Sequence, residues 1–179
     1  MTDASPARLW AMRAGFAALV LCILFFQLLP QQMVPRSWAG PDWVMLFAFA
    51  WAVRRPELVP PLLLGGLLLL SDLLLGRPPG LWAVLALLGA ERLKARALSL
   101  RDSTLAAEIV EVSITIVGVV VAYQLILAIL LVGSTHWMLS ATQALSSLVA
   151  YPLVVLITHS VMGVRKSAPG DLDAQGGRL

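Results

Sequence analysis

Long apolar stretches dominate this sequence and leave charged residues only in short clusters between them. Hydrophobic residues make up 59% of the 179-residue chain and charged residues 13%, whereas soluble globular domains carry about 25% charged residues. A transmembrane helix needs about 20 mainly apolar residues to cross about 30 Å of hydrocarbon, and the mean hydropathy of the whole chain is +0.86. The sequence therefore predicts an all-α, polytopic membrane protein.

We interpret the apolar segments as six transmembrane helices. They lie at roughly 14–29, 41–53, 58–75, 81–92, 105–132 and 138–162. The second and fourth are short and would reach only about 20 Å, which is tolerated where neighbouring helices shield them. We expect a single transmembrane domain over residues 1–166. The glycine-, proline- and aspartate-rich residues 167–179 are expected to form a disordered cytoplasmic tail.

Arginine and lysine residues indicate how the helices are oriented. If the N-terminus is cytoplasmic, the basic residues at inner ends are Arg8, Arg13, Arg54, Arg55, Arg92, Lys94, Arg96, Arg101, Arg165 and Lys166. Only Arg36 and Arg77 then fall in outer loops. Because cytoplasmic loops carry the excess of positive charge, both termini are predicted to be cytoplasmic. The formal net charge of +3 reflects this bias and not nucleic-acid binding.

Asp72 lies inside a leucine-rich stretch, LLLLSDLLLGRPPGLW at residues 67–82, near the outer end of the third helix. An acid there is disfavoured by the helix dipole and costs several kcal/mol in hydrocarbon unless it has a partner. We therefore expect Asp72 to face the bundle interior beside Arg77 or Arg36. The favoured interpretation is a structural ion pair, and the alternatives are a site for a partner or ligand, or a proton relay.

The residues after Asp72 predict a tight outer hairpin. Gly76 suits a left-handed helix cap, and Pro78-Pro79 cannot continue the helix. Gly80 then restarts the chain directly into the fourth segment. Asp42, at the outer start of the second helix, is a further polar group that could contribute to a ligand site in this outer half.

Polar residues of the fifth and sixth helices form a second group of candidates. Glu108 and Glu111 begin the fifth helix, where acids are favoured, behind the N-cap candidates Asp102, Ser103 and Thr104. A short loop near residue 135 makes the two helices antiparallel. Residues at equal depth in the membrane are then Gln124 and Ser146, Tyr123 and Ser147, and Glu111 and His159. We predict a mid-membrane polar layer from these pairs, with Gly118 and Ala122 admitting a neighbouring backbone.

The segment Glu91–Asp102, ERLKARALSLRD, alternates basic and apolar residues. It is interpreted as part of the positive-inside signal. A more specific alternative is that this segment forms an inner surface that contacts anionic lipid head groups or a cytoplasmic partner.

Sequence motifs of catalysis are absent. The sequence contains no Walker A loop, no His-Glu-x-x-His and no Gly-x-Ser-x-Gly. Cys22 is the only cysteine, so an intrachain disulfide is excluded. We therefore predict no enzyme, no catalytic residues, no cofactor and no metal site.

The order of several short patterns resembles the MreD family of the bacterial rod-shape system. The first helix ends in QLLP at 27–30, and the second begins with GPDWVMLFAFAW at 40–51, ahead of Pro56. The third carries Gly65-Gly66, followed by Asp72, Gly76 and Gly80. The sixth contains AYPLVVL at 150–156, with the aromatic–proline pair Tyr151-Pro152. The resemblance covers most of residues 14–165.

The resemblance implies a non-catalytic subunit of the cell-wall elongation complex in the bacterial inner membrane. Such a subunit binds MreC and helps to couple cytoplasmic MreB to peptidoglycan synthesis. RodA and a class B penicillin-binding protein are further expected partners, together with membrane lipids, and a homo-oligomer is possible. The implied fold is similar to the six-helix substrate-binding subunits of energy-coupling-factor transporters. That likeness supplies the alternative function, a substrate-binding subunit for uptake of a small molecule such as a vitamin.

Overall fold

A computed structural model describes residues 6–29, 38–101, 104–130 and 137–160. All regular elements in these ranges are helical. They are α1 (Pro6–Leu28), α2 (Trp43–Arg54), α3 (Pro61–Leu74), α4 (Leu81–Arg101), α5 (Leu105–Ile129) and α6 (Trp137–Ser160), with one 3-10 turn at Pro56–Leu58. Arg36, Arg165, Lys166 and the tail 167–179 lie outside the described residues, as do Asp102 and Ser103.

Three of these helices are long and apolar enough to cross a membrane. They are α1 over Ala7–Leu28, α5 over Leu105–Ile129 and α6 over Trp137–Ser160. Helices α2 and α3 are apolar but shorter. The all-helical fold predicted from the sequence is therefore confirmed for the described residues. The three long apolar helices are consistent with a membrane protein, and six crossings stay a prediction.

Helix α4 extends beyond the apolar segment predicted at 81–92 and ends at Arg101. The continuation is amphipathic, because Leu93, Ala97 and Leu100 are buried while Arg92 and Arg96 are exposed on the opposite side. Spacings of four and three residues keep the buried side chains on one helix face. The unbroken apolar segment at 81–92 therefore predicted too early an end for this helix.

Helix α2 is the central element of the bundle. Every residue from Val44 to Arg54 is buried, and α2 packs against α1, α4 and α6. A helix that is apolar on all sides has to be enclosed by protein or lipid. Enclosure by three other helices explains how so short a helix is accommodated.

Two side chains cap helices at their first turns. The Asp42 carboxyl accepts a hydrogen bond from the Met45 backbone N–H at 3.1 Å and so caps α2. The Thr104 hydroxyl accepts one from Ala107 N–H at 3.3 Å and caps α5. Thr104 was one of the three cap residues predicted.

The turn between α3 and α4 depends on two glycines with left-handed backbone. Gly76 has φ 65° and Gly80 has φ 84°, a region that L side chains rarely adopt. Arg77 N–H donates to the Asp72 carbonyl at 3.0 Å, the bond of a helix end closed by a left-handed residue. The predicted left-handed cap at Gly76 is confirmed.

Gly89 of α4 lies at a close helix crossing that the sequence did not indicate. A Cβ atom at this position would lie 2.9 Å from the Phe49 ring, 3.0 Å from Thr115 Cγ2 and 3.1 Å from Val119 Cγ2. Gly118, which was predicted to admit a neighbouring backbone together with Ala122, has nothing within 4 Å of such an atom. That prediction was wrong for the described residues, because Gly118 is on the exposed side of α5.

We expect Gly89→Ala to destabilise the bundle by about 1–3 kcal/mol, because the added methyl overpacks the contact between α2, α4 and α5. The matched control is Gly118→Ala, which adds the same methyl in open space. It should be neutral or stabilise α5 by up to about 1 kcal/mol. Denaturant unfolding of both variants in mixed micelles measures the difference, and equal stabilities would contradict the close crossing.

Candidate functional site

Polar side chains collect at two opposite ends of the bundle. We call the end where α3 turns into α4 the Asp72 end, and the end where α2 finishes and α5 begins the Glu108 end. The two ends differ in how their charged groups are paired.

Asp72 is fully buried and caps the N-terminus of α4. Its Oδ2 accepts hydrogen bonds from Gly80 N–H at 3.1 Å and Ala83 N–H at 2.9 Å. A carboxyl group is favoured at this position, because the first N–H groups of a helix are unpaired and carry the positive end of its dipole. Asp72 Oδ1 has no hydrogen-bond partner among the described residues.

Arg77 forms its ion pair with Asp42 and not with Asp72. Arg77 Nη1 lies 3.0 Å from Asp42 Oδ2, and the guanidinium carbon lies 4.8 Å from the centre of the Trp82 ring. The predicted Asp72–Arg77 pair is therefore wrong. The first backbone N–H groups of α4 donate to the Asp72 carboxylate. Asp42, at the start of α2, lies where Arg77 can pair with it. Arg36, the other predicted partner, lies outside the described residues.

Three further hydrogen bonds connect the residues just before α2 to α6. Asp42 N–H donates to Ser147 Oγ at 3.1 Å. Ala39 N–H donates to Thr142 Oγ1 at 3.2 Å, and the Ser146 hydroxyl donates to the Ala39 carbonyl at 3.1 Å. Hydroxyl groups of α6 thus form hydrogen bonds with backbone groups of the segment that leads into α2.

These contacts correct the predicted polar layer between α5 and α6. Ser146 and Ser147 contact the residues before α2, whereas they were expected to contact Gln124 and Tyr123. Gln124 instead donates to Ser140 Oγ, and the Tyr123 ring packs edge-on against Trp82 with ring centres 5.1 Å apart. Equal depth on two helices did not mean that the residues face one another.

Two cavities lie near the Asp72 end. The smaller one holds about 150 Å³, and its polar lining residues are Arg77, Tyr123, Ser140 and Gln143. The larger one is a groove of about 720 Å³ between α5 and α6. The groove is mainly apolar, with Gln124 and Ser140 as its polar members, and it meets the smaller cavity at Val120 and Ser140.

Glu108 is the centre of a buried polar cluster at the opposite end. It lies 3.2 Å from Arg54 Nη2, and the two side chains are 0% and 3% exposed. The Tyr151 hydroxyl donates to Glu108 Oε1 at 3.1 Å. The cluster joins α2, α5 and α6, so Glu108 does more than the helix-terminal acid that was predicted. Tyr151 is buried in this cluster, while the neighbouring Pro152 is exposed within α6.

Glu111 contacts α4 and not α6. It lies 3.2 Å from Arg92 Nη2 and also pairs with Arg96, and Arg92 Nη1 donates to Thr115 Oγ1 at 2.6 Å. His159 is exposed, so the predicted Glu111–His159 pair is wrong. Tyr151 of α6 already lies beside Glu108 in the first turn of α5. His159, about two turns further along α6, therefore lies past the start of α5. The alternation of bases in 91–102 could have revealed these partners, because Arg92 and Arg96 share one helix face.

The carboxyl groups described above are engaged in helix caps and ion pairs that connect neighbouring helices. Among the described residues, no group of three or more His, Cys, Asp or Glu side chains could hold a metal ion. Fold and site together define a helical protein of membrane type whose buried charges connect helices. Comparison with family models, with curated proteins and with solved structures gave no significant match in any of the three.

Proposed function

We propose that this protein is a non-catalytic membrane subunit of the bacterial rod-shape machinery, of the MreD kind. In this role its helices bind MreC in the inner membrane and help to couple cytoplasmic MreB to peptidoglycan synthesis by RodA and a class B penicillin-binding protein. The proposal rests on the sequence patterns at 27–30, 40–56, 65–80 and 150–156. The packing of the bundle supports the non-catalytic part of it.

One observation carries that support: the buried acids act as connectors. Asp72 caps α4, Asp42 caps α2 and pairs with Arg77, and Glu108 binds Arg54 and Tyr151. Charged groups that hold helices in place are what a scaffold requires. Acid–base catalysis requires a carboxyl group that can reach a substrate.

The alternative is the substrate-binding subunit of a small-molecule uptake transporter. Ligand pockets have volumes of about 300–1,000 Å³ and contain a few convergent polar groups. The cavity beside Arg77 has the polar groups but only about 150 Å³. The groove between α5 and α6 has the volume, about 720 Å³, but few polar groups. Volume and polar groups thus lie in two different cavities, which favours the scaffold over the uptake subunit.

The test is gentle purification of the tagged full-length chain from its native membranes, followed by mass spectrometry of the proteins and small molecules that accompany it. We expect MreC to be recovered well above its level with an unrelated polytopic protein carrying the same tag. Recovery of a transporter ATPase together with a bound vitamin would replace the proposal by the alternative. Recovery of neither MreC nor elongation enzymes would also count against it.

A further inference from the structure

Two arginines, one glutamate and one threonine form a polar notch on the outside of α4 and α5. We call Arg92, Arg96, Glu111 and Thr115 the arginine notch. Arg92 donates to Thr115 and pairs with Glu111, and Arg96 pairs with the other oxygen of the same glutamate. One carboxylate therefore holds two guanidinium groups side by side.

The arginine notch lies at an unusual depth for charged groups. Thr115 is near the middle of α5, about 15 Å along the helix from Leu105 and about 21 Å from Ile129. The hydrocarbon core of a bilayer is about 30 Å thick. Helix α5 is long and apolar enough to span that core. If α5 is centred on it, Thr115 and the Arg92 guanidinium beside it lie about 12 Å inside the hydrocarbon.

The part of the chain that the structure describes leaves these two arginines partly exposed. The side chains of Arg92 and Arg96 are 42% and 53% exposed, and the two positive charges share one negative charge. Arginine near a membrane surface usually extends toward the head groups. Arg92 is instead held against Thr115 and Glu111, so its charge stays at depth, where an exposed charge is strongly disfavoured.

The surroundings of the arginine notch are suited to acyl chains. On α5 the exposed side chains next to Glu111 and Thr115 include Val110 and Ile114, and on α4 Leu88 and Leu98 are exposed. The arginine notch is therefore a charged site within an apolar surface. A ligand that combines negative charge with apolar chains matches such a site.

We propose that the arginine notch binds the phosphate of an anionic phospholipid from the leaflet at the Glu108 end. Guanidinium groups match phosphate oxygens with paired N–H donors, and the excess positive charge favours an anionic lipid over a zwitterionic one. To reach Arg92 the bound head group lies deeper than its neighbours and the leaflet thins locally, which is one way in which bilayers lower the cost of a charge at depth. The lipid chains contact the apolar faces of α4 and α5.

The experiment measures lipid binding to the purified full-length protein by native mass spectrometry during titration with phosphatidylglycerol or phosphatidylcholine. The wild type is expected to retain one phosphatidylglycerol much more tightly than phosphatidylcholine. Arg92→Gln/Arg96→Gln should weaken retention of that lipid about 30-fold, corresponding to about fivefold for each base. Should the double variant fail to fold, Arg96→Gln alone, expected at about fivefold, replaces it.

The matched control is Arg8→Gln/Arg55→Gln, which removes two positive charges from the same end of the bundle but leaves the arginine notch intact. Its retention of phosphatidylglycerol should change by less than about threefold. Arg8 is exposed, Arg55 is already paired with Glu57, and salt screens charges that lie away from the bound lipid. Equal weakening in both double variants, or equal retention of the two lipids, would overturn the proposal. Release of the lipid by millimolar inorganic phosphate would also overturn it and assign the site to a soluble anion. Unchanged retention in the notch variants would overturn it as well.

Discussion

Replacing Glu108 with alanine is expected to destabilise the folded bundle by about 3–5 kcal/mol. The substitution leaves Arg54 charged and buried without its counter-ion, and breaking a buried pair on one side has a cost of this size. It also removes the acceptor of the Tyr151 hydroxyl. The free energy of unfolding in mixed micelles, from denaturant titration, measures the loss.

Two further variants show whether burial and pairing cause that loss. Glu57→Ala removes the carboxylate of an ion pair with Arg55 that is about one-third exposed, and it should cost less than about 1 kcal/mol. Arg54→Met/Glu108→Leu removes both buried charges and should recover most of the stability lost in Glu108→Ala. If the double variant is less stable than Glu108→Ala, the loss in Glu108→Ala does not come from the unpaired charge of Arg54.

The class of protein and most helices were predictable from the sequence because they depend on apolar length and local turn chemistry. The left-handed cap at Gly76 followed from the residues around it. The far end of α4 did not, because its apolar face is spaced three and four residues apart between charged residues. The close crossing at Gly89 was not visible either, since it depends on which helices are neighbours.

The charge pairs were the least predictable feature, for a geometric reason. The sequence indicated that Asp72, Arg77 and Asp42 lie near one membrane surface, but it did not indicate which helix faces meet. Arg77 therefore has Asp42 as its partner, although Asp72 is nearer along the chain. Likewise Glu111 could be assigned a depth but not a neighbour, and α4 supplies its partners where α6 was expected to do so.

Replacing Asp72 with leucine is expected to cost about 2–4 kcal/mol. The Gly80 and Ala83 N–H groups then lose their acceptor at the start of α4, and each unpaired buried donor costs about 1–3 kcal/mol. Helix α4 loses its cap in the same step. The free energy of unfolding measures the effect. Thiol labelling of Pro79→Cys, in a background in which the exposed Cys22 is replaced by serine, reports locally on the turn.

Asp72→Asn decides what Asp72 contributes, because it keeps the shape and one acceptor oxygen but removes the charge. An amide oxygen can still accept from Gly80 and Ala83, and its NH₂ group replaces the oxygen that has no partner. If Asp72 serves as a cap, the asparagine variant should stay within about 1 kcal/mol of the wild type and co-purify with the same partners. A proton relay or a site for a cationic ligand requires the carboxylate itself, so asparagine would then abolish function as completely as leucine while leaving the fold intact. A stable but inactive Asp72→Asn protein would therefore contradict the scaffold assignment, since capping needs only an acceptor.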